Sequence, residues 1–243
     1  MQGITFDLPT LSVAVLGALV AGFTSGFAGF GTGLVASGFW LHVLPVAAVP
    51  PLVALASVAA QIVGLATVRK AFDWPSAAPY LTGGLIGVPL GLAALSAATP
   101  FVLRTSLGVC LLVYAGYQLA RRRQHEIGQW GGRTADGIVG VGGGFLGGFA
   151  GLSGPLPLIW LQLRGGESDR QRATYQPFNL VVLTLASAGM GLSGQITSDV
   201  LWIAIVCLPA TLAGAWFGAR AYAIVSPQTF QRVVLGLLGD TMA

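Results

Sequence analysis

Hydrophobic residues run along the chain in long, continuous stretches that do not alternate with polar residues. Eight such stretches cover residues 10–48, 50–67, 78–98, 101–120, 137–163, 174–196, 200–219 and 226–238. A transmembrane helix needs about 20 apolar residues, and a backbone in lipid must satisfy its own hydrogen bonds. Because a transmembrane barrel would show alternation, the pattern predicts an all-α polytopic membrane protein.

Dense glycine marks the first and the fifth of these stretches. Residues 22–33 contain five glycines, and residues 142–154 contain seven. Each glycine inside a helix costs up to about 1 kcal/mol relative to alanine, so a cluster indicates a break or a tight turn. Residues 10–48 are also too long for a single crossing. We therefore expect two interrupted, re-entrant helical segments.

The two glycine-rich segments belong to an internal repeat. Residues 22–29 match residues 144–151 at six of eight positions, with an offset of 122. The similarity continues later in each half, where the Arg-x-x-Leu-Gly of 104–108 falls over that of 232–236. We expect a first transmembrane repeat over 1–120, a basic cytoplasmic connector over 121–135 and a second repeat over 136–243.

The basic residues indicate how the two halves face. If all eight stretches crossed the membrane once, the twelve Lys and Arg would divide six to six between its sides. If the first and fifth stretches return to the side they came from, eleven lie on one side and only Arg104 lies opposite. The positive-inside rule favours the second topology. Each half then has about three transmembrane helices, the repeats are inverted, and both termini are periplasmic.

Composition excludes a water-soluble enzyme. Hydrophobic residues make up 54% of the chain and charged residues 8%, whereas soluble domains carry roughly 25% charged residues. The net charge is +4, and the basic residues lie in the short connectors between the apolar stretches. We therefore interpret them as residues that set the orientation of the helices in the membrane. The expected partner is the lipid bilayer, and no nucleic acid is expected. Cys110 and Cys207 lie in apolar stretches, where a thiol packs like a small hydrophobic side chain. No disulfide, metal or cofactor is expected.

Inverted repeats with discontinuous helices are the architecture of secondary transporters. Broken helix ends present free N–H groups and positive dipole ends, which favour an anion. The candidate substrate-binding residues lie at the two breaks and on the helices that would flank them: Thr24, Ser25, Gly26, Gly29, Thr32, Gly148, Gly151, Ser153, Gln61, Asn179 and Gln176. Two alternatives stay open: bonding of each hydroxyl to its own helix, and hydrogen bonding of each side-chain amide between helices.

Residues near the ends of the stretches allow two interpretations as well. Trp40 and Trp160 are expected to anchor the chain at the membrane interface, with closure of the site as the alternative. His42 and Arg164 occupy equivalent positions of the repeat, and both are expected at the membrane surface. The glycine spacing over 83–91 permits close helix contact, either within the bundle or between the protomers of a homodimer.

The glycine-rich segments carry a family resemblance. The sequences Gly-Phe-Ala-Gly-Phe-Gly-Thr-Gly at 26–33 and Gly-Phe-Leu-Gly-Gly-Phe-Ala-Gly-Leu-Ser-Gly-Pro at 144–155 resemble the paired motifs of the sulfite exporter TauE/SafE family. The basic connector at 69–74 and the Arg-x-x-x-Gly at 104–108 are also similar to that family's pattern. The chain departs from the usual second-half Gly-Gly-Gly at residues 153–155. The resemblance implies transport of sulfite or organic sulfonates across a bacterial inner membrane, in either direction.

Three other classes of function are an intramembrane protease, an anion channel and a non-transporting scaffold. Two Gly-x-Ser-Gly segments, 151–154 and 191–194, fit an intramembrane serine protease, but such an enzyme needs a later histidine as its base, and none follows His125. We therefore expect no enzyme. An anion channel and a non-transporting scaffold remain as alternatives, and alternating access by a secondary transporter of a small sulfur-containing anion is the prediction.

Overall fold

The computed structural model describes residues 7–67, 73–120, 128, 130–166 and 168–224. Those ranges contain nine α-helices and no β-strand, which confirms the all-α prediction for them. The helices are α1 (Leu8–Ala28), α2 (Thr32–Val43), α3 (Val49–Thr67), α4 (Trp74–Ala97), α5 (Pro100–Ala120), α6 (Gly132–Ala150), α7 (Pro155–Arg164), α8 (Ser168–Leu192) and α9 (Ser198–Ile224), with a 3₁₀ turn at Val46–Ala48. The stretch 226–238 and the basic residues at 69, 70, 121–123 and 232 lie outside the described residues.

Two helices end at glycine where the glycine clusters predict breaks. Gly29, which follows α1, has φ +81°, and Gly31 has φ +99°. Gly151, which follows α6, has φ +73°. A left-handed residue ends a helix because its backbone cannot continue the right-handed turn, and glycine adopts that conformation without strain. The two predicted breaks are therefore confirmed.

The short helix after each break runs back along the helix before it. In the first hairpin, the indole N–H of Trp40 on α2 donates to the carbonyl of Ala14 on α1, at 3.0 Å. In the second, Trp160 on α7 donates to Oδ1 of Asp136 on α6, at 2.8 Å. Trp40 is fully buried, so the expectation that it anchors the chain at the interface is wrong. Trp160 is half-buried, and its N–H is likewise used inside the hairpin.

Arg164 is buried in an ion pair. Its Nη1 lies 3.1 Å from Oδ2 of Asp136, and the two side chains are only 10% and 9% exposed. Tyr80 of α4 donates to the other oxygen of Asp136 at 2.6 Å, and Arg164 Nη2 donates to the carbonyl of Gly132 at 2.7 Å. A buried carboxylate requires such donors, since an unpaired charge there is costly. The arginine therefore ties the end of α7 to the start of α6.

Small residues bring α1 against α9. Gly22 and Gly26 on α1 face the backbone of Thr211 and Ala215 on α9 so closely that a Cβ at either glycine would collide with a carbonyl oxygen. In lipid, helices associate through close van der Waals contact and not through hydrophobic burial, so small residues are needed at such a crossing. The glycines of α1 thus serve helix contact as well as the break.

The same kind of contact joins α4 to α6. Gly87 and Gly91 on α4 face the backbone of α6, and Gly148 on α6 faces the carbonyl of Val88 on α4. The glycine stripe over 83–91, for which a contact within the bundle and a homodimer contact were both expected, is therefore used within the chain. Each of these two helix pairs joins a helix from 1–120 to a helix from 136–243.

Five helices are long and apolar enough to cross a membrane. In the part of the chain that the structure describes, these spans are Leu8–Ala28, Val46–Gly64, Trp74–Ala97, Pro100–Tyr117 and Ser198–Tyr222. The second of them is 67% buried inside the protein, whereas the fourth is only 11% buried, so α3 lies at the centre and α5 at the edge. The helix α8 packs beside α3. Because α8 is enclosed by protein, it accommodates several polar residues.

The connectors near the starts of α4 and α8 are joined at one end of the molecule. The N–H of Asp73 donates to the carbonyl of Ala173 at 3.4 Å, and its carboxylate lies 4.0 Å from Nε of Arg170. Hydrogen bonds from the hydroxyl and the backbone N–H of Ser76 hold the pKa of Asp73 below its usual range. This carboxylate caps α4 and stays ionised beside Arg170.

The connector before α6 reaches the same end. Arg133 donates to the carbonyl of Pro75 at 3.3 Å, and Arg164 donates to that of Trp130 at 3.1 Å. The described parts of the three basic connectors, 69–74, 121–135 and 164–172, therefore lie close together at one end of the molecule.

Replacing Gly26 with alanine should destabilise the protein, because the added methyl group would collide with the Ala215 carbonyl. Overpacking costs about 1–3 kcal/mol and outweighs the gain in helix propensity of about 1 kcal/mol. We expect a lower melting temperature in detergent. Gly108→Ala on α5 is the control, since no atom lies within 4 Å of its new methyl group. Equal melting temperatures for the two variants would contradict the close packing of α1 on α9.

Candidate substrate-binding site

A small polar cavity lies where the two helix breaks meet. It is lined by residues from both breaks and from the middle of α3 and α8: Phe30, Gly31, Thr32, Gly33, Leu34, Ser57, Gln61, Gly151, Leu152, Ser153, Gly154, Pro155, Asn179 and Leu183. Its volume is about 20 Å³, which is room for about one water molecule. We call it the central pocket. In this conformation it is too small for a sulfonate.

The central pocket lies midway between the breaks. Along α3, Ala54 packs against Gly151, and Gln61 donates from Nε2 to the carbonyl of Gly29 at 3.1 Å. Seven residues of helix separate those two contacts, which is about 10 Å at 1.5 Å per residue. Ser57 of α3 and Asn179 of α8 lie between them, and both are buried. The central pocket therefore lies between the two breaks.

Side-chain polarity in the pocket comes mainly from Ser153 and Asn179. The Ser153 hydroxyl donates to Oδ1 of Asn179 at 3.0 Å. With the amide in this assigned orientation, its Nδ2 remains as a donor beside the cavity. Thr32 is also buried, at 3% exposed, and lines the same space. The pocket therefore contains hydroxyl and amide groups suited to hydrogen bonding.

The start of α2 adds backbone donors. Gly31 occupies the position before α2 and supplies no side-chain cap, so no side chain covers the first-turn N–H groups. These groups carry the positive end of the helix dipole. The corresponding helix α7 begins with Pro155 and has Pro157 two residues later, so it offers fewer N–H groups. The two sides of the pocket consequently differ in donor strength.

The two breaks are packed by different kinds of residue. Beside Gly29 lie Arg172, Tyr175 and Gln176 of α8, and the Tyr175 hydroxyl donates to the carbonyl of Ala28 at 2.6 Å. The residues 122 positions earlier, on α3, lie beside Gly151; they are Pro50, Val53 and Ala54. Polar side chains thus surround one break, and apolar side chains surround the other.

Sequence-predicted residues fall into three groups in the structure. Five line the central pocket: Thr32, Gln61, Gly151, Ser153 and Asn179. Ser25, Gly29 and Gln176 lie at the first break but outside the lining. The remaining three, Thr24, Gly26 and Gly148, do not line the central pocket. The hydroxyl of Thr24 donates to the carbonyl of Val20 on its own helix, at 2.9 Å. Gly26 and Gly148 face neighbouring helices, as described above.

Ser57 is a lining residue that sequence reasoning missed. It stands 122 positions before Asn179, so applying the repeat offset to Asn179 would have found it. The same offset relates Gln61 to Leu183, which also lines the pocket. The internal repeat was therefore a stronger guide to the site than residue type alone.

A second cavity is larger but apolar. It has a volume of about 460 Å³ and lies between α4, α5 and α6, where Val102, Phe145 and Phe149 are among its lining residues. It offers few groups that could fix an anion, so the central pocket is the better candidate. In the described ranges, no three His, Cys, Asp or Glu side chains lie together in a way that could hold a metal ion.

Comparison with known proteins shows the family to which the chain belongs. The family model described as "Sulfite exporter TauE/SafE" matches residues 14–241. The chain belongs to the TauE/SafE family.

A curated relative supports the same assignment. It is the "Probable sulfite/organosulfonate exporter TauE" of Cupriavidus necator, with 30% identity over 216 residues, which cover 86% of this chain and 83% of that protein. No solved structure matches the chain. As a TauE/SafE member with five helices in its described part that are long and apolar enough to span a bilayer, the protein is a multi-pass membrane protein.

The Ser153–Asn179 hydrogen bond can be tested by a double-mutant cycle. Ser153→Ala, Asn179→Ala and the double variant should show a coupling of about 0.6 kcal/mol, and no more than about 1.7, which is the range for interhelical hydrogen bonds in membranes. The measurement is the free energy of unfolding in mixed micelles. Additive effects would contradict the bond that joins the second break to α8.

Proposed function

We propose that this TauE/SafE protein is a secondary transporter that binds a sulfur oxyanion in the central pocket and moves it across the bacterial inner membrane by alternating access. The proposal includes two inverted repeats, 1–120 and 136–243, with the connector 121–135 in the cytoplasm and both termini in the periplasm. The observation that carries it is the pairing of lining residues at an offset of 122: Phe30 with Leu152, Gly31 with Ser153, Thr32 with Gly154, Gly33 with Pro155, Ser57 with Asn179 and Gln61 with Leu183.

Contacts outside the pocket support the repeat as well. Phe23 stacks on Phe27 with a centroid distance of 6.1 Å, and Phe145 stacks on Phe149 at 5.8 Å. Those two pairs are also 122 residues apart. Two similar halves that exchange their packing against each other can open a shared pocket to either side in turn, which is how inverted repeats produce alternating access.

The polar groups of the pocket favour an anion. None of the described lining residues is acidic, and the groups present are backbone N–H at the start of α2, the Asn179 amide, and serine and threonine hydroxyls. Oxyanions are bound by such donors. The name of the curated relative refers to sulfite and organosulfonates, and we propose the same substrate class here.

The small volume of the central pocket favours a carrier over a channel. A channel needs a continuous polar pathway, whereas the central pocket holds about 20 Å³ between two glycine-broken segments. A scaffold would need neither the breaks nor a buried polar pocket between them.

Proteoliposomes that contain the purified protein should take up radiolabelled sulfite or an alkyl sulfonate with saturation kinetics. Asn179→Ala and Gln61→Ala should each raise KM about three- to tenfold, since a lost hydrogen bond costs about 0.5–1.5 kcal/mol. Thr24→Ala is the matched control, because its hydroxyl bonds within its own helix, and its KM should be unchanged.

Two results would contradict the proposed function. The first is the absence of saturable flux for every sulfur anion tested with correctly folded protein. The second is an unchanged KM in both pocket variants, which would remove Asn179 and Gln61 from the site.

A further inference from the structure

Arg172 is a buried cation without an acidic partner. It is 3% exposed, and within the described ranges no carboxylate lies within 4.0 Å of its guanidinium. Nη2 donates to the carbonyl of Gly26 at 2.9 Å, and the guanidinium carbon lies 4.5 Å from the ring centroid of Tyr222. The helix dipole and the aromatic ring offset part of the cost of burying the charge, but neither neutralises it.

Two buried donors beside Gly29 have no hydrogen-bond partner. These are Nε of Arg172 and Nε2 of Gln176. They converge on one point, because a Cβ placed on Gly29 would be 2.8 Å from the first and 3.2 Å from the second. Buried donors are almost always paired in proteins, so two unpaired ones at the same place call for a ligand. A positive charge with free N–H groups selects an anion.

The unpaired donors share a helix face with the central pocket. Arg172, Gln176 and Asn179 are spaced at i, i+4 and i+7 on α8, which places them on one side of the helix. Arg172 lies one turn from the basic connector, and Asn179 lines the pocket about 10 Å further along. At the other break, the positions that correspond to Arg172 and Gln176 are occupied by Pro50 and Ala54. Only one approach to the pocket therefore has a buried cation.

We propose that Arg172 and Gln176 form a second, outer binding site for the oxyanion, between the basic connectors and the central pocket. Its ligand class is a small sulfur oxyanion, either sulfite or the head group of a sulfonate, held by the planar edge of the guanidinium and by the amide N–H. The first break covers these donors here. When that break moves away from α8, as alternating access requires, the anion replaces the backbone carbonyls that Arg172 now contacts. This inference rests on the proposed function.

Gln176→Leu gives the sharpest test. Since Nε2 has no partner in the folded protein, a leucine of similar size should leave the melting temperature unchanged. Uptake of radiolabelled sulfite into vesicles with the connector side facing outward should nevertheless show a KM about tenfold higher. Arg172→Lys keeps the charge but loses the planar edge, and its KM should rise at least as much. Arg170→Gln is the matched control, since it removes a charge two residues away from a side chain that is 76% exposed, and its KM should stay within about twofold.

The outcomes separate this inference from the proposed function. If Asn179→Ala impairs uptake while Gln176→Leu and Arg172→Lys both keep the wild-type KM, the outer site is overturned and the central pocket stands. If Arg170→Gln raises KM as much as Gln176→Leu and Arg172→Lys do, the effect is not specific to the two buried donors, and the outer site is again overturned. If the wild-type protein shows no saturable sulfite uptake, the proposed function fails, and the outer site fails with it.

Discussion

Broken helices inside a membrane protein leave backbone carbonyl and N–H groups without water to bond, and the fold is organised around satisfying them. At the first break, side chains provide the donors. Arg172 of α8 donates to the carbonyl of Gly26, and Tyr175 of α8 donates to that of Ala28. Gln61 of α3 donates to the carbonyl of Gly29. At both breaks the glycine N–H also bonds back to its own helix, from Gly29 to the carbonyl of Ser25 and from Gly151 to the carbonyl of Gly147. This enclosure permits irregular backbone beside a polar pocket.

Enclosure also explains where the charged residues lie. The Asp136–Arg164 pair is buried because α7 folds back onto α6. Arg172 of α8 is buried against the end of α1, where it donates to the carbonyl of Gly26, and against the ring of Tyr222 on α9. These charges are located next to helix ends. A polar bond can be exchanged for a bond to substrate or water, whereas a packed apolar contact has no equivalent replacement. Polar contacts near the breaks are therefore compatible with a protein that changes conformation.

Sequence patterns predicted the helical class, both breaks and five of the lining residues, since a polar side chain in a long apolar stretch is conspicuous. They failed for Trp40, because its partner Ala14 is 26 positions away and comes into reach only when the hairpin closes. They did not reveal the buried ion pair of Arg164 for the same reason, since Asp136 is 28 positions away. Glycine was ambiguous as well. Gly29 ends a helix, whereas Gly26, three residues earlier, makes room for a neighbouring helix. Spacing alone does not distinguish those two uses.

The account depends most on the two hairpins returning to the side they came from, which places the basic connectors on one face of the membrane. Labelling with a membrane-impermeant maleimide, in protein lacking Cys110 and Cys207, tests this directly. Trp130→Cys and Arg170→Cys should both react only in inside-out vesicles, whereas Leu192→Cys, at the far end of α8 and 93% exposed, should react only in right-side-out vesicles. Labelling of Trp130→Cys and Arg170→Cys from opposite faces would contradict the account.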